Sequence, residues 1–235
     1  MTNAALVAGG EPWLLPIEFA SFCETPLRSK LATVNEATAA ALGKRGVVCL
    51  PTPVPESAIA AMDDVDILLA KAPSLLERIR RCVGEIALLK APSDEYDVSH
   101  SEPQWPERIY VSVPQSSLVR DLRVAEAIVH EAMHLNLSNL ERIQPLFKGQ
   151  SELFSPWRMS LRPVSGVFHG LYVFTCVARF FQSFVLPEEV DEVRRDFMKR
   201  RLAQVSDDIA LVPIPELRQC LTDSGEAILK QLFVN

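Results

Sequence analysis

The alternation of hydrophobic and polar positions changes period several times along the chain, and each change marks an element. Residues 1–25 carry Pro, Gly and Trp without a repeat and read as irregular. An Ala-rich stretch over 30–42 predicts a helix that Gly43 and Gly46 stop. Val47, Val48, Cys49 and Leu50 form a candidate short strand, after which Pro51, Pro53 and Pro55 force extended backbone. An amphipathic helix is expected from Pro55 to Lys71, with Ile59, Met62, Ile67 and Leu68 turned inward. A second follows Pro73 over 74–83, burying Leu75, Leu76 and Ile79. Strict alternation marks 108–113, where Ile109, Val111 and Val113 alternate with Arg108, Tyr110 and Ser112. That strand is expected to pair with 95–100 through a turn at 102–106.

Helical patterning then returns. A largely apolar helix is predicted over 117–143, ending before Pro145, and a second buried helix over 164–184. The residues between them, 147–163, read as a loop. A charged amphipathic helix is expected from Pro187 to about 208, and a last one from Pro215, with Leu217, Leu221, Ile228 and Leu232 inward. The fold class is α+β, mainly α: a helical core with one small antiparallel hairpin. At 235 residues this fits one domain spanning 1–235, with an N-terminal lobe of about 1–90, a central core of about 91–186 and C-terminal helices over 187–235.

Composition narrows the function. Hydrophobic residues make up 48%, with no uninterrupted run long enough to span a bilayer, so a dense core or an apolar partner surface (a homodimer, for instance) would account for them. A net charge of −6 argues against binding a phosphate backbone. The basic run at 194–201 is diluted by Asp191, Glu192 and Asp196 and reads as a solvated helix face. Five scattered cysteines without a C-x-x-C argue for reduced thiols and a cytoplasmic protein. The N-terminus lacks the charged start and apolar run of a signal peptide.

Chemistry concentrates in the apolar helix over 117–143. His130-Glu131-Ala132-Met133-His134 reads H-E-x-x-H, and it holds two of the chain's four histidines. Residues four apart lie one turn apart on the same face, so both imidazoles can reach one metal ion. Glu131 projects about 100° round the helix, within reach of a metal-bound water or a ligand. Two imidazoles and a carboxylate among Ala125, Ala127, Ile128, Val129 and Met133 need a partner, and a metal is the simplest.

A catalytic metal needs about one more protein ligand and open positions. The metzincin continuation, Gly at 137 and His at 140, is replaced by Leu137 and Leu140. Glu141 lies two turns beyond His134, too far for the same ion, and Glu152 sits in the expected loop. His169 is the better candidate: an imidazole in an apolar helix, between Gly166 and Gly170, which permit close approach of another element. His100, in the polar hairpin, is expected at the surface. Three neutral imidazoles suit zinc and also iron(II) with a vacant face. Arg158 and Arg162, between the two ligand helices, could hold a dicarboxylate, or could be surface residues.

His130-Glu-Ala-Met-His134, Phe154-Ser-Pro-Trp-Arg158, Arg162-Pro163 and Gly166-Val-Phe-His-Gly-Leu-Tyr172 together resemble the H-E-x-x-H peptide-modification family that accompanies biosynthesis of ribosomally made, post-translationally modified peptides. The resemblance covers about 96–181. It implies an iron(II)- and 2-oxoglutarate-dependent peptide β-hydroxylase using dioxygen. In it His130, His134 and His169 would hold the metal, and Arg158 or, by preference, Arg162 would anchor the co-substrate's distal carboxylate. Glu131 would orient a ligand or bond a metal-bound water, since abstracting a hydrogen atom needs no general base. The partner implied is a precursor peptide, with no nucleic acid and no membrane. The rival from the motif alone is a zinc metallopeptidase, in which Zn(II) activates water and Glu131 takes its proton. A second rival is a peptide-binding subunit with a closed, structural metal.

Overall fold

The computed structural model describes residues 25–102, 105, 107–183 and 191–233; the readings at 1–24 and at Pro187 lie outside them. The fold is α+β and mainly α, with 58% of the described residues helical. A short 3₁₀ turn (Leu27–Lys30) leads into α1 (Glu36–Gly43), α2 (Glu56–Leu69) and α3 (Pro73–Cys82). Strands β1 (Glu85–Lys90), β2 (Ser99–Ser101) and β3 (Arg108–Val113) precede the long helix α4 (Arg120–Ile143). A hairpin of β4 (Glu152–Ser155) and β5 (Ser160–Pro163) then delivers the chain to α5 (Val164–Ser183). Helices α6 (Glu192–Ala210), α7 (Ile214–Gln219) and α8 (Asp223–Leu232) complete it.

One apolar cluster joins residues from the whole described chain, including Leu27, Val65, Ile128, Phe168 and Leu232. Helix α4 lies in the middle, packed against α2, α3, α5, β2 and β3. Helix α5 is long and apolar enough by length and composition to cross a bilayer, unlike the interrupted runs of the sequence reading. Yet 72% of its apolar window is buried inside the fold, as in a core helix.

The sheet differs from the expected single hairpin. Its order is β1-β3-β2, with β1 parallel to β3 and β2 antiparallel to it. Strand β1 escapes sequence reading because Glu85-Ile-Ala-Leu-Leu-Lys90 does not alternate; Ile86 to Leu89 are all buried, as in a strand covered on both faces. The expected strand at Val47–Leu50 reduces to an isolated bridge between Cys49 and Leu89. The expected loop at 147–163 contains the β4–β5 hairpin, with Phe154 opposite Leu161 and Met159 turned at φ 48°.

Local capping explains the other differences. The helix expected over 30–42 begins only at Glu36, because the Asn35 side chain accepts a bond from the Thr38 N–H and sets the N-terminus there. The last helix breaks into α7 and α8 because the Thr222 hydroxyl accepts from the Gly225 N–H and restarts it. The basic run is not simply solvated either. Arg194 grips Asp121 of α4 at 2.8 and 2.5 Å, and Arg201 grips Glu126 at 2.7 Å.

Gly225 marks the tightest packing of α8. A Cβ there would stand 2.4 Å from the Leu146 carbonyl oxygen, a backbone atom that cannot yield cheaply. Gly225→Ala is therefore expected to cost about 1–3 kcal/mol, read as a lower urea midpoint with an unchanged slope.

Candidate metal centre

Helices α4 and α5 carry the three histidines, and their packing brings two of them together. His134 Nδ1 lies 3.2 Å from His169 Nδ1, with the rings nearly parallel at 16°. His130, one turn back along α4, meets His134 edge-on, with ring centroids 4.8 Å apart. The second nitrogen of His169, Nε2, faces Glu141 Oε1 at 3.1 Å. Glu141 lies seven residues past His134 and so returns to the same face of α4. Its buried Oε1 stands beside the histidine across from it at ion-pair distance, with no hydrogen bond among the described residues.

Phe174, one turn past Gly170 on α5, meets the His130 ring at 68° with centroids 5.1 Å apart, and Trp157 stacks on Phe174 at 5.1 Å. Trp157 can lie against α5 only because residue 170 has no side chain: a Cβ at Gly170 would meet the indole at 2.6 Å. Gly166, expected to play the same part, has nothing within 4 Å of its virtual Cβ. Arg201 of α6 stands over the other side of this group, its guanidinium carbon 5.9 Å from the Phe174 ring centre.

Burial keeps the two imidazoles of α4 neutral. It holds His130 down to about 4, helped by the charges of Arg201 and Arg158. Burial also holds His134 well below the usual histidine value, with the neighbouring His130 and His169 adding to it. Neutral imidazole is the form that binds metal. Two nitrogens bound to one ion at roughly 2.1 Å stand roughly 3.0–3.4 Å apart, and the His134–His169 separation falls in that interval. Among the described residues no three imidazole, carboxylate or thiol groups are already gathered about one point. The pair is set at ligand spacing and His130 stands beside it, so the donor set fits a divalent ion with an open side rather than a closed cage.

Glu131 points elsewhere. It is 4% exposed and accepts a bond from the Ser99 hydroxyl at 2.8 Å, with Ser101 a second hydroxyl donor, both on β2. Burial pushes its carboxyl up to about 7, against those two hydrogen bonds. Of the two expected arginine anchors, Arg158 sits exposed in the hairpin turn, close enough for its charge to act on His130. Arg162 is exposed on β5, in register with Leu153, and nothing brings it to the histidines. His100 is not a free surface residue: it stacks on Tyr110 at 4.5 Å and is half-buried. Glu152 is exposed on β4.

A cleft of about 510 Å³ opens beside His130, walled by Phe174 of α5, Phe197 and Arg201 of α6, Arg123 of α4 and the irregular segment leading into β2. Sequence reasoning missed Arg201, Phe174 and Trp157. The signal available for Arg201 was its seven-residue spacing from Arg194, which sets both arginines on one face of α6 opposite the acids of α4. No family model and no curated protein matches the chain.

The raised Glu131 carboxyl has a measurable signature in metal-free protein. Between pH 4.5 and 7 the folded state keeps a proton there that the unfolded chain has released. Its contribution is complete below about 4.5 and is lost as pH rises through about 7. His130 works in the opposite direction, stabilising above its ordinary value and losing that as pH falls towards 4. The His130 contribution is common to wild type and Glu131→Gln, so it cancels in their difference. The unfolding free energy of Glu131→Gln minus that of wild type, read from urea titrations, should climb between pH 4.5 and 7.5, to a gain of about 2–3 kcal/mol. A flat difference would show that Glu131 is ionised in the fold.

Proposed function

We propose that this protein is an iron(II)- and 2-oxoglutarate-dependent hydroxylase acting on the β-carbon of a residue in a ribosomally synthesised precursor peptide. The observation that carries the reading is the opposition of His134 and His169 at 3.2 Å beside His130, while the H-E-x-x-H glutamate is turned onto β2. His130, His134 and His169 would hold the ion. Three neutral ligands leave its charge uncompensated, which favours an anionic chelator at the remaining positions. Iron(II) with 2-oxoglutarate and dioxygen supplies an oxidant able to take hydrogen from carbon, with succinate and carbon dioxide as by-products.

The chain's own part is binding and positioning. Glu141 Oε1 stands 3.1 Å from His169 Nε2 and would hold that ring with Nδ1 towards His134 once an ion is bound. Phe174 packs on His130 and is itself backed by Trp157, which fixes one wall of the site. Arg158 and Arg201 bring positive charge to the His130 side of the site, where a co-substrate carboxylate would be held. Arg162 is the weaker candidate for that task in view of its place on β5. Glu131, bonded to the β2 serines, ties the sheet edge to the metal helix. A cytoplasmic location fits the described cysteines, none of which forms a disulfide.

A zinc metallopeptidase is the second reading, favoured by one observation: a carboxyl at about 7 is well matched to general-base work near neutrality. Iron(II) added without oxygen to metal-free protein, followed by 2-oxoglutarate, distinguishes the two. The hydroxylase reading expects the weak visible charge-transfer band of a chelated 2-oxoacid, lost in His169→Ala. Absence of the band, together with tightly held zinc and peptide cleavage that Glu131→Gln abolishes, would establish the peptidase instead.

A further inference from the structure

The cleft beside His130 extends away from the histidines along α4. Positions 123, 127 and 130 share one face of that helix, and the middle one is the small residue Ala127, so a trough runs between Arg123 and His130. Arg123 is 9% exposed, and two of its three guanidinium nitrogens are accounted for. Nε donates to Asp97 Oδ2 at 2.7 Å, and one terminal nitrogen donates to the Asp94 carbonyl. The other terminal nitrogen is buried without a hydrogen-bond partner among the described residues. A buried charged donor left unpaired is costly, and a ligand that supplies an acceptor recovers that cost.

The charges around the trough select the kind of acceptor. Glu95, Asp97 and Glu126 line the cleft against Arg123 and Arg201, with His130 neutral, so the carboxylates already exceed the guanidinium groups by one. At the Arg123 end, where Glu95 and Asp97 outnumber the one guanidinium, a further carboxylate would be repelled, whereas a neutral carbonyl would not. The co-substrate carboxylate belongs to the other end, beside Arg201 and Arg158. We infer that Arg123 is a specificity-determining residue that takes a backbone carbonyl of an extended substrate peptide lying along α4. This rests on the reading of the His130 side as the reacting end. Seven helical residues rise about 10.5 Å, and an extended peptide rises roughly 3.3 Å per residue. The carbonyl held by Arg123 therefore belongs about three residues from the one presented at His130. Phe174 and Phe197 flank the intervening side chains.

The test uses the full chain and two pools of hexapeptides, each acetylated and amidated so that no terminal charge remains. One pool lacks Asp and Glu, and every member of the other carries one Glu. Equilibrium dialysis with mass spectrometry reads retention by wild type, Arg123→Lys and Ala127→Leu, each first confirmed to melt cooperatively. Arg123→Lys keeps the charge but removes the second terminal donor, and Ala127→Leu fills the trough while leaving Arg123 in place. The expected result is retention of the neutral pool by wild type, lowered at least tenfold in both variants, with the acidic pool held no better. Equal retention by wild type and either folded variant, stronger retention of the acidic pool, or no retention of either pool overturns the inference. Dialysis needs no iron, so peptide retention without a 2-oxoglutarate band would reject the hydroxylase chemistry and still support the Arg123 site.

Discussion

The packing of α4 on α5 sets two imidazole nitrogens 3.2 Å apart, and much of the site depends on that separation. Two nitrogens so close cannot both carry a proton along the line between them; they share one, or they face a common cation. Burial has already selected the neutral state of His134, so the protein leaves lone pairs available there. The helices that carry the pair are themselves buried on most sides, so little strain can be relieved by moving them apart. Glu141 stands behind the His169 ring, 3.1 Å from its Nε2.

Charge pairing builds the walls around this pair. Helix α6 packs on α5 through the buried Met198 and Val205 and the half-buried Phe197, Leu202 and Ile209. It is held against α4 by Arg194 on Asp121 and Arg201 on Glu126, partly sheltered pairs rather than fully exposed ones. Arg123 and Asp97 fasten the chain leading into β2 in the same manner. The cleft is thus framed by elements tied to α4 through side-chain charges, while its floor is α4 itself, with Phe174 contributed by α5.

Much of this was legible in the sequence. The two site helices follow directly from apolar periodicity, and the expected boundaries of 117–143 and 164–184 lie close to Arg120–Ile143 and Val164–Ser183. The approach of His169 to His134 follows from asking what a lone imidazole does in an apolar helix. Strand β1 was hidden because a strand covered on both faces has no alternation to read, and its partner β3 lies seventeen residues away across β2. The arginines show the limit more clearly. Arg158, Arg162 and Arg201 look alike as letters; hairpin register and the facing acids of α4 decide which of them stands near His130, and neither is a local property. Glu131 was placed beside its serines by β2, an element of three residues whose packing on α4 no period could forecast.

The contact between Trp157 and Gly170 carries an evolutionary consequence. The indole occupies the volume in which a side chain at 170 would sit, so the two positions divide one fixed space between them. Neither can grow unless the other shrinks. Among sequences descended from a common ancestor, a larger residue at 170 is viable only alongside a smaller one at 157, and the two positions drift as a linked pair. Because Trp157 also backs Phe174 and through it His130, such an exchange would retune the histidine site without touching a histidine.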